Sequence, residues 1–186
     1  SLVLARTSDT ALSYTMTAPM NDGGFDLTEY KIGLPSKGSA VEITGGTLQP
    51  REAQDWAASR CYDSNTDTAC VSQAISVGLP VLGQPSLILN FAATTLYSVQ
   101  ITNAWKNGKN FKCVGEFILR WKDENNIWHR CEDSSYTMPD SEGPHDFLCI
   151  TDDKKAIGIE IAKIDTEAVS AQVRFKEVVV YKLDFN

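Results

Sequence analysis

Apolar side chains return at every second position through most of this chain. LSYTMTA (12–18), LTEYKIGL (27–34), SLILNFA (86–92), LYSVQITNAW (96–105), GEFILRW (115–121), IWHRCE (127–132), AIGIEIAKI (156–164) and RFKEVVVYKLDF (174–185) are rich in β-branched and aromatic residues. Most alternate with period two, the pattern of strands with one buried face. Turn-forming clusters separate them: MNDGG, PSKGS, KDENN, PDSEGP and TDDKK. The best helical pattern is short, QPREAQDWAAS (49–59). Many short strands joined by modest loops predict an all-β chain folded as an antiparallel β-sandwich.

EFILRWKDENNIWHRC is the clearest hairpin, with polar KDENN turning the chain between two strands that each carry a Trp. With the turn centred near Glu124–Asn125, Trp121 and Trp128 would face each other. Such a pair stabilises a hairpin on its own, and it could also form a ligand platform.

Length allows one large domain, or one domain plus part of another: 186 residues can bury a real core. The formal net charge of −7 argues against a basic face for nucleic acid or for anionic membranes. No apolar stretch approaches the roughly 18–20 residues that span a bilayer. Ser1 opens directly on strand-like sequence, as a processed product or an excised piece would.

The five cysteines are Cys61, Cys70, Cys113, Cys131 and Cys149, with no CxxC pair and only two histidines, so no structural zinc site is expected. Two disulfides and one free thiol fit an oxidising compartment, and five reduced core cysteines fit a cytosolic protein. An extracellular or cell-surface location is the expectation. Cys61–Cys70 would pin the polar loop CYDSNTDTAC at its base, leaving one further bridge at most among the other three. The simple hairpin register sets Cys131 opposite Ile118, which disfavours Cys113–Cys131.

Four stretches, taken in order, resemble the discoidin or coagulation factor 5/8 type C superfamily, which includes F-type lectins and related carbohydrate-binding modules. YDSNTDTACVS is similar to that group's xDGNxxTxWxS, and SLILNFAATTLYSVQI to its hhhDLGxxxxVxxI. ILRWKDENNIWHRC is similar to hxxSxDGxxWxxh, and VRFKEVVVY to the terminal hxEVEVY. Ser64 departs from the usual Gly, Asn90 from the Asp of DLG, and Val179 from the second Glu. The resemblance implies a galactose-binding-like jelly-roll sandwich over residues 41–186. Residues 1–40 lie outside it. There, LSYTMTAPMNDGGFDLTEYKIG resembles two strands of a fibronectin type III domain, and an N-terminal β-hairpin extension is expected.

The same resemblance implies a structural Ca²⁺ held by Asp63, Asn65, Thr68 and Glu177, with Ser72 as a further hydroxyl. The alternative is a loop satisfied by its own Asx and ST turns. Ser64 favours that alternative if its position requires φ > 0. Ligands of such domains meet loops at one end of the sandwich. Here Trp105, Lys106 and Lys109, or Trp56 and Arg51, are the residues able to stack on a sugar and hydrogen-bond its hydroxyls. The competing expectation is that the Trp residues anchor loops and the lysines are solvated. His129 and His145 lie in no nucleophile or metal motif, so no catalysis is expected.

The function expected is a non-catalytic binding or adhesion module for a glycan or a cell-surface or matrix protein, part of a larger multidomain protein. The alternative is an assembly domain of a larger adhesive or filamentous protein that makes only protein–protein contacts. An intracellular adaptor on the same fold is a third reading.

Overall fold

A computed structural model of the chain describes residues 2–8, 11–16, 34–53, 56–73, 75–76, 84–104, 115–132, 134–139, 141, 143–164 and 170–185. The chain divides into two compact units, Ser1–Gly33 and Leu34–Asn186. In the first, β1 (Leu2–Ser8) and β2 (Ala11–Met16) form an antiparallel hairpin, with Leu2 opposite Met16 and Ala5 opposite Ser13. The second fibronectin-like stretch, 27–33, lies outside the described residues.

The second unit is an antiparallel β-sandwich. Its strands are β3 (Pro35–Ala40), β4 (Ile43–Gln49), β5 (Cys70–Val71), β6 (Ile75–Ser76), β7 (Ser86–Thr94), β8 (Leu96–Asn103), β9 (Glu116–Asp123), β10 (Trp128–Arg130), β11 (Tyr136–Thr137), β12 (Pro144–Leu148), β13 (Ala156–Lys163), β14 (Ser170–Ala171) and β15 (Arg174–Phe185). One sheet runs β10-β9-β13-β7-β4, with β11 also on β9; the other runs β12-β8-β15-β3, with β5 on β15. β6 and β14 pair separately. Because β3 pairs with β15, Tyr181 opposite Ala40 and Phe185 opposite Pro35, the sandwich unit starts at Leu34 rather than at 41.

Alternation explains the layers. Leu87, Leu89 and Phe91 on β7, Phe117, Leu119 and Trp121 on β9, and Val178 and Val180 on β15 are buried in one core that both sheets share. Phe117 of one sheet and Phe147 of the other meet edge to face at 5.0 Å. At one border of the sandwich Cys131, just after β10, is bonded to Cys149, just after β12. That bond links the outer strands of the two sheets.

The ladder fixes which loops share an end. Asn103, Phe175, Cys70, Gln49, Ser86 and Lys163 lie at one end; Asp123, Ala156, Thr94, Leu96 and Phe185 lie at the other. The first is called the Trp56 end below, the second the hairpin-tip end.

Two local expectations are corrected. Residues 49–59 form no α-helix where they are described. Glu52 bridges Ser72 and the Ala53 N–H donates to Val71 O at 2.9 Å, so this segment is drawn into a ladder beside β5. A short 3-10 turn, Ala58–Cys61, follows. Tertiary pairing overrides a weak helical propensity here.

The hairpin register also shifts by one. Trp121 pairs with His129 and Trp128 with Lys122, so the two Trp residues do not face each other. The loop is Glu124–Asn126, three residues, because Asn126 adopts φ 65° and the Asp123 N–H donates to Ile127 O at 2.9 Å. An odd loop moves every cross-strand partner by one position. The Cys131 N–H accordingly donates to Leu119 O, not to Ile118.

Candidate functional site

The polar loop is closed by a Cys61–Cys70 disulfide, with Cα atoms 5.2 Å apart. Inside it, Asp63 Oδ1 accepts the Asn65 N–H at 2.9 Å and Asn65 Oδ1 accepts the Asp67 N–H at 3.0 Å. These are the Asx turns expected of such a run. The Thr68 hydroxyl lies 2.9 Å from both Asp63 Oδ2 and Asn65 O. Three of the four predicted metal-site residues are thus gathered by local turns.

The fourth arrives from β15. Glu177 is 8% exposed, and its Oε2 is buried with no hydrogen-bond partner among the described residues. The backbone N–H groups of Ser64 and Asn65 lie near its carboxylate and favour the charged form. Burial, helped by the nearby Asp63 carboxylate, outweighs them and pushes the Glu177 carboxyl up to about 7. Ser64 stands at φ 61°, so the position does require the left-handed region, and the chain accepts a non-glycine there. Glu177 lies near Asp63 of this loop, and the carboxylates of the two with the amide carbonyl of Asn65 and the hydroxyl of Thr68 are donor types that suit a hard divalent cation. Among the described residues no three His, Cys, Asp or Glu side chains are grouped to hold a metal, so neutral oxygens would have to complete the shell. The Ser72 hydroxyl is engaged elsewhere, accepting the Val173 N–H at 3.0 Å.

Beside this loop lies Trp56, half-buried and held by its backbone. Its N–H donates to Ala53 O at 3.0 Å and its carbonyl accepts the Val71 N–H at 3.3 Å. The guanidinium of Arg174 lies 5.3 Å from the ring centroid and that of Arg60 5.9 Å from it. Arg51 is exposed, and its Nε donates to Gln73 Oε1 at 2.5 Å. The Glu52 carboxylate, next in sequence, accepts the Ala58 N–H at 2.7 Å. The structure therefore brings Trp56 and Arg51 to one end, as expected. It adds Arg60 and Arg174, which nothing in their local sequence marked; only the pairing of Arg174 with Val71 places it here. Trp105, Lys106 and Lys109 lie outside the described residues.

A polar cleft of 390 Å³ opens at the hairpin-tip end, between Asp123, Asn125, His129, Asp153, Lys154 and Lys155 among others. His129 stacks on Trp121 at 4.3 Å between centroids, and its Nε2 lies 2.9 Å from Asp123 Oδ2. The bond from His129, then the Ile127 N–H, holds the Asp123 carboxyl below its ordinary value. No helix among the described residues is long and apolar enough to cross a membrane.

No family model matches the chain, and no curated protein matches it. Solved structures do. The chain is similar to the family 32 carbohydrate-binding module from Clostridium perfringens NanJ, in complex with galactose, at 18% identity and a TM-score of 0.58, over 80% of this chain and 100% of that one. It is similar to the F5/8 type C domain of a Bacteroides fragilis protein at 13% identity and a TM-score of 0.59, over 77% and 95% of the two chains. It is also similar to the lectin domain of lectinolysin, complexed with Lewis B antigen, at 12% identity and a TM-score of 0.57, over 74% and 92%. At these identities the likeness is one of fold. The chain shares the galactose-binding-like β-sandwich fold of these structures, the fold that the four sequence stretches implied.

Proposed function

We propose that the chain is a non-catalytic, extracellular binding module that recognises a glycan through the loops at its Trp56 end. One observation carries the reading. Trp56, Arg51, Arg60 and Arg174 come from three separate segments and gather at one end of a sandwich whose solved counterparts include modules crystallised with sugars. Guanidinium donors held in place by an aromatic ring are groups that bind sugar oxygens. The two disulfides support an oxidising location.

The reading includes Ca²⁺ as a brace rather than a reactant. Asp63, Asn65, Thr68 and Glu177 would hold it, and the ion would supply the positive charge that the buried Glu177 oxygen lacks. The polar loop would then be tied to the last strand, stiffening the floor on which Trp56 and Arg60 stand.

A glycan array read beside size-exclusion chromatography tests the function. Specific sugar binding by a monomer, weakened by Trp56→Ala and Arg60→Ala with the fold intact, is expected. Self-association with no sugar bound would replace this reading with the assembly domain.

A further inference from the structure

Resting on the Trp56 end as the ligand site, we propose that the glycan it takes is acidic: a sugar bearing a carboxylate or a sulfate, whose anionic group is read by Arg60 and Arg174.

The first reason is the state of the Trp56 ring. Two guanidinium groups lie within 6 Å of its centroid, at 5.3 and 5.9 Å, the range in which cation–π attraction operates. A ring engaged in this way holds arginines in place and is a poor stacking surface for a sugar. Its own position is fixed by backbone hydrogen bonds to Ala53 and Val71. Recognition therefore falls to the arginines, whose freedom is reduced before the ligand arrives. Arg60 sits on the 3-10 turn next to the Cys61–Cys70 bridge, and Arg174 opens β15 opposite Val71. Neither base is a flexible loop tip.

The second reason is donor–acceptor balance. A neutral sugar presents hydroxyls, which donate as well as accept, and suits a site that mixes both roles. Arginine only donates. Two arginines flank one ring here, and Arg51, at the same end, is oriented by its 2.5 Å bond to Gln73. The adjacent Glu52 has one carboxylate oxygen committed to the Ala58 N–H. The complement of such a surface is a group that only accepts and that carries charge. Carboxylate and sulfate both fit the planar guanidinium fork.

The experiment titrates the whole chain with polygalacturonate, with a sulfated galactan and with a neutral galactan, at about 50 and about 500 mM NaCl. One or both acidic chains should bind roughly tenfold more tightly than the neutral one at low salt, and the difference should collapse at high salt. Which acidic chain binds tells uronate from sulfate. Arg60→Ala should lower that affinity roughly tenfold and any neutral binding by less, with Arg60→Lys recovering part of the loss. If Arg174→Ala fails to fold, Arg60→Ala and Arg51→Ala carry the test. Neutral galactan bound as tightly as the acidic chains, with no salt dependence, overturns the acidic preference and leaves the glycan-binding reading standing. Acidic binding that survives in both arginine variants also overturns it. Binding of no polysaccharide at either salt overturns both.

Discussion

Glu177, on the last strand, lies beside the backbone N–H of Ser64, the residue that stands at φ 61° in the disulfide-closed loop. A side chain in the left-handed region costs on the order of 1–2 kcal/mol. The attraction between that N–H and a buried carboxylate offsets part of that cost. A strained loop residue and a misfit carboxyl thus favour each other, on the loop whose own turns gather Asp63, Asn65 and Thr68.

The raised carboxyl of Glu177 gives a pH signature. Folded, it titrates at about 7; the ordinary value is 4.5. Between these values the folded protein keeps a proton that the unfolded chain has lost. Without divalent cations, stability should therefore fall as pH rises from about 4.5 to about 7, by on the order of 2–3 kcal/mol, and level off above. Saturating Ca²⁺ should reverse the slope, since the ligands must be deprotonated, and should raise stability by roughly 2–3 kcal/mol at a hundredfold excess over Kd. Thermal melts across pH in EDTA and in CaCl₂ read both. In Glu177→Gln the metal effect should vanish while the EDTA melt at pH 8 stays level or rises. A calcium shift that persists in this variant would remove Glu177 from the site.

Ser64→Gly should relieve the backbone without removing the N–H that lies near Glu177. A gain of up to about 1 kcal/mol in urea unfolding is expected. A loss of that size would show that the serine hydroxyl has a role of its own.

Thiol chemistry should follow the two bridges. Denatured without reductant, the protein should titrate one thiol, and with reductant five. Reduction should cost about 2.5 kcal/mol for the 61–70 loop and about 3 kcal/mol for 131–149 in the chain-entropy picture. Five thiols without reductant would point to the intracellular reading.

Asp123 organises the hairpin tip: its Oδ1 accepts the N–H groups of Asn125 at 2.9 Å and Ile127 at 2.8 Å, and its Oδ2 meets His129. Asp123→Ala should lower the melting temperature and weaken amide protection at Ile127. Because its carboxyl sits below the ordinary 3.8, its contribution should be complete above that pH and fade as pH drops through the lower folded value. An unchanged acid limb of the stability curve in the variant would refute this.

Much of the sandwich was legible because period-two runs such as SLILNFA and AIGIEIAKI place every second residue in the core whatever lies around them. The turns of the polar loop were legible too: Asp63, Asn65 and Thr68 meet through bonds spanning five residues at most. What escaped depends on distant partners or on one dihedral angle. Asn126 at φ 65° turned an expected Trp–Trp pair into Trp121 on His129. QPREAQDWAAS was read as helix because nothing within it discloses that residues 71–73 wait beside it. Arg60 and Arg174 carry no local signal, and only the 3-10 turn and β15 bring them to within 6 Å of one indole.

Phe185 is paired with Pro35, so the sandwich begins and finishes at a single spot, and that spot lies at the end away from Trp56. The unit is shaped like a plug on a two-wire lead. A host chain spliced in at Leu34 and out at Phe185 would hold it by the back and leave the arginine face pointing outward. Tandem copies, or insertion within a surface loop of another protein, should therefore leave binding intact, while a circular permutant opened between Arg51 and Trp56 should keep the fold and lose the ligand.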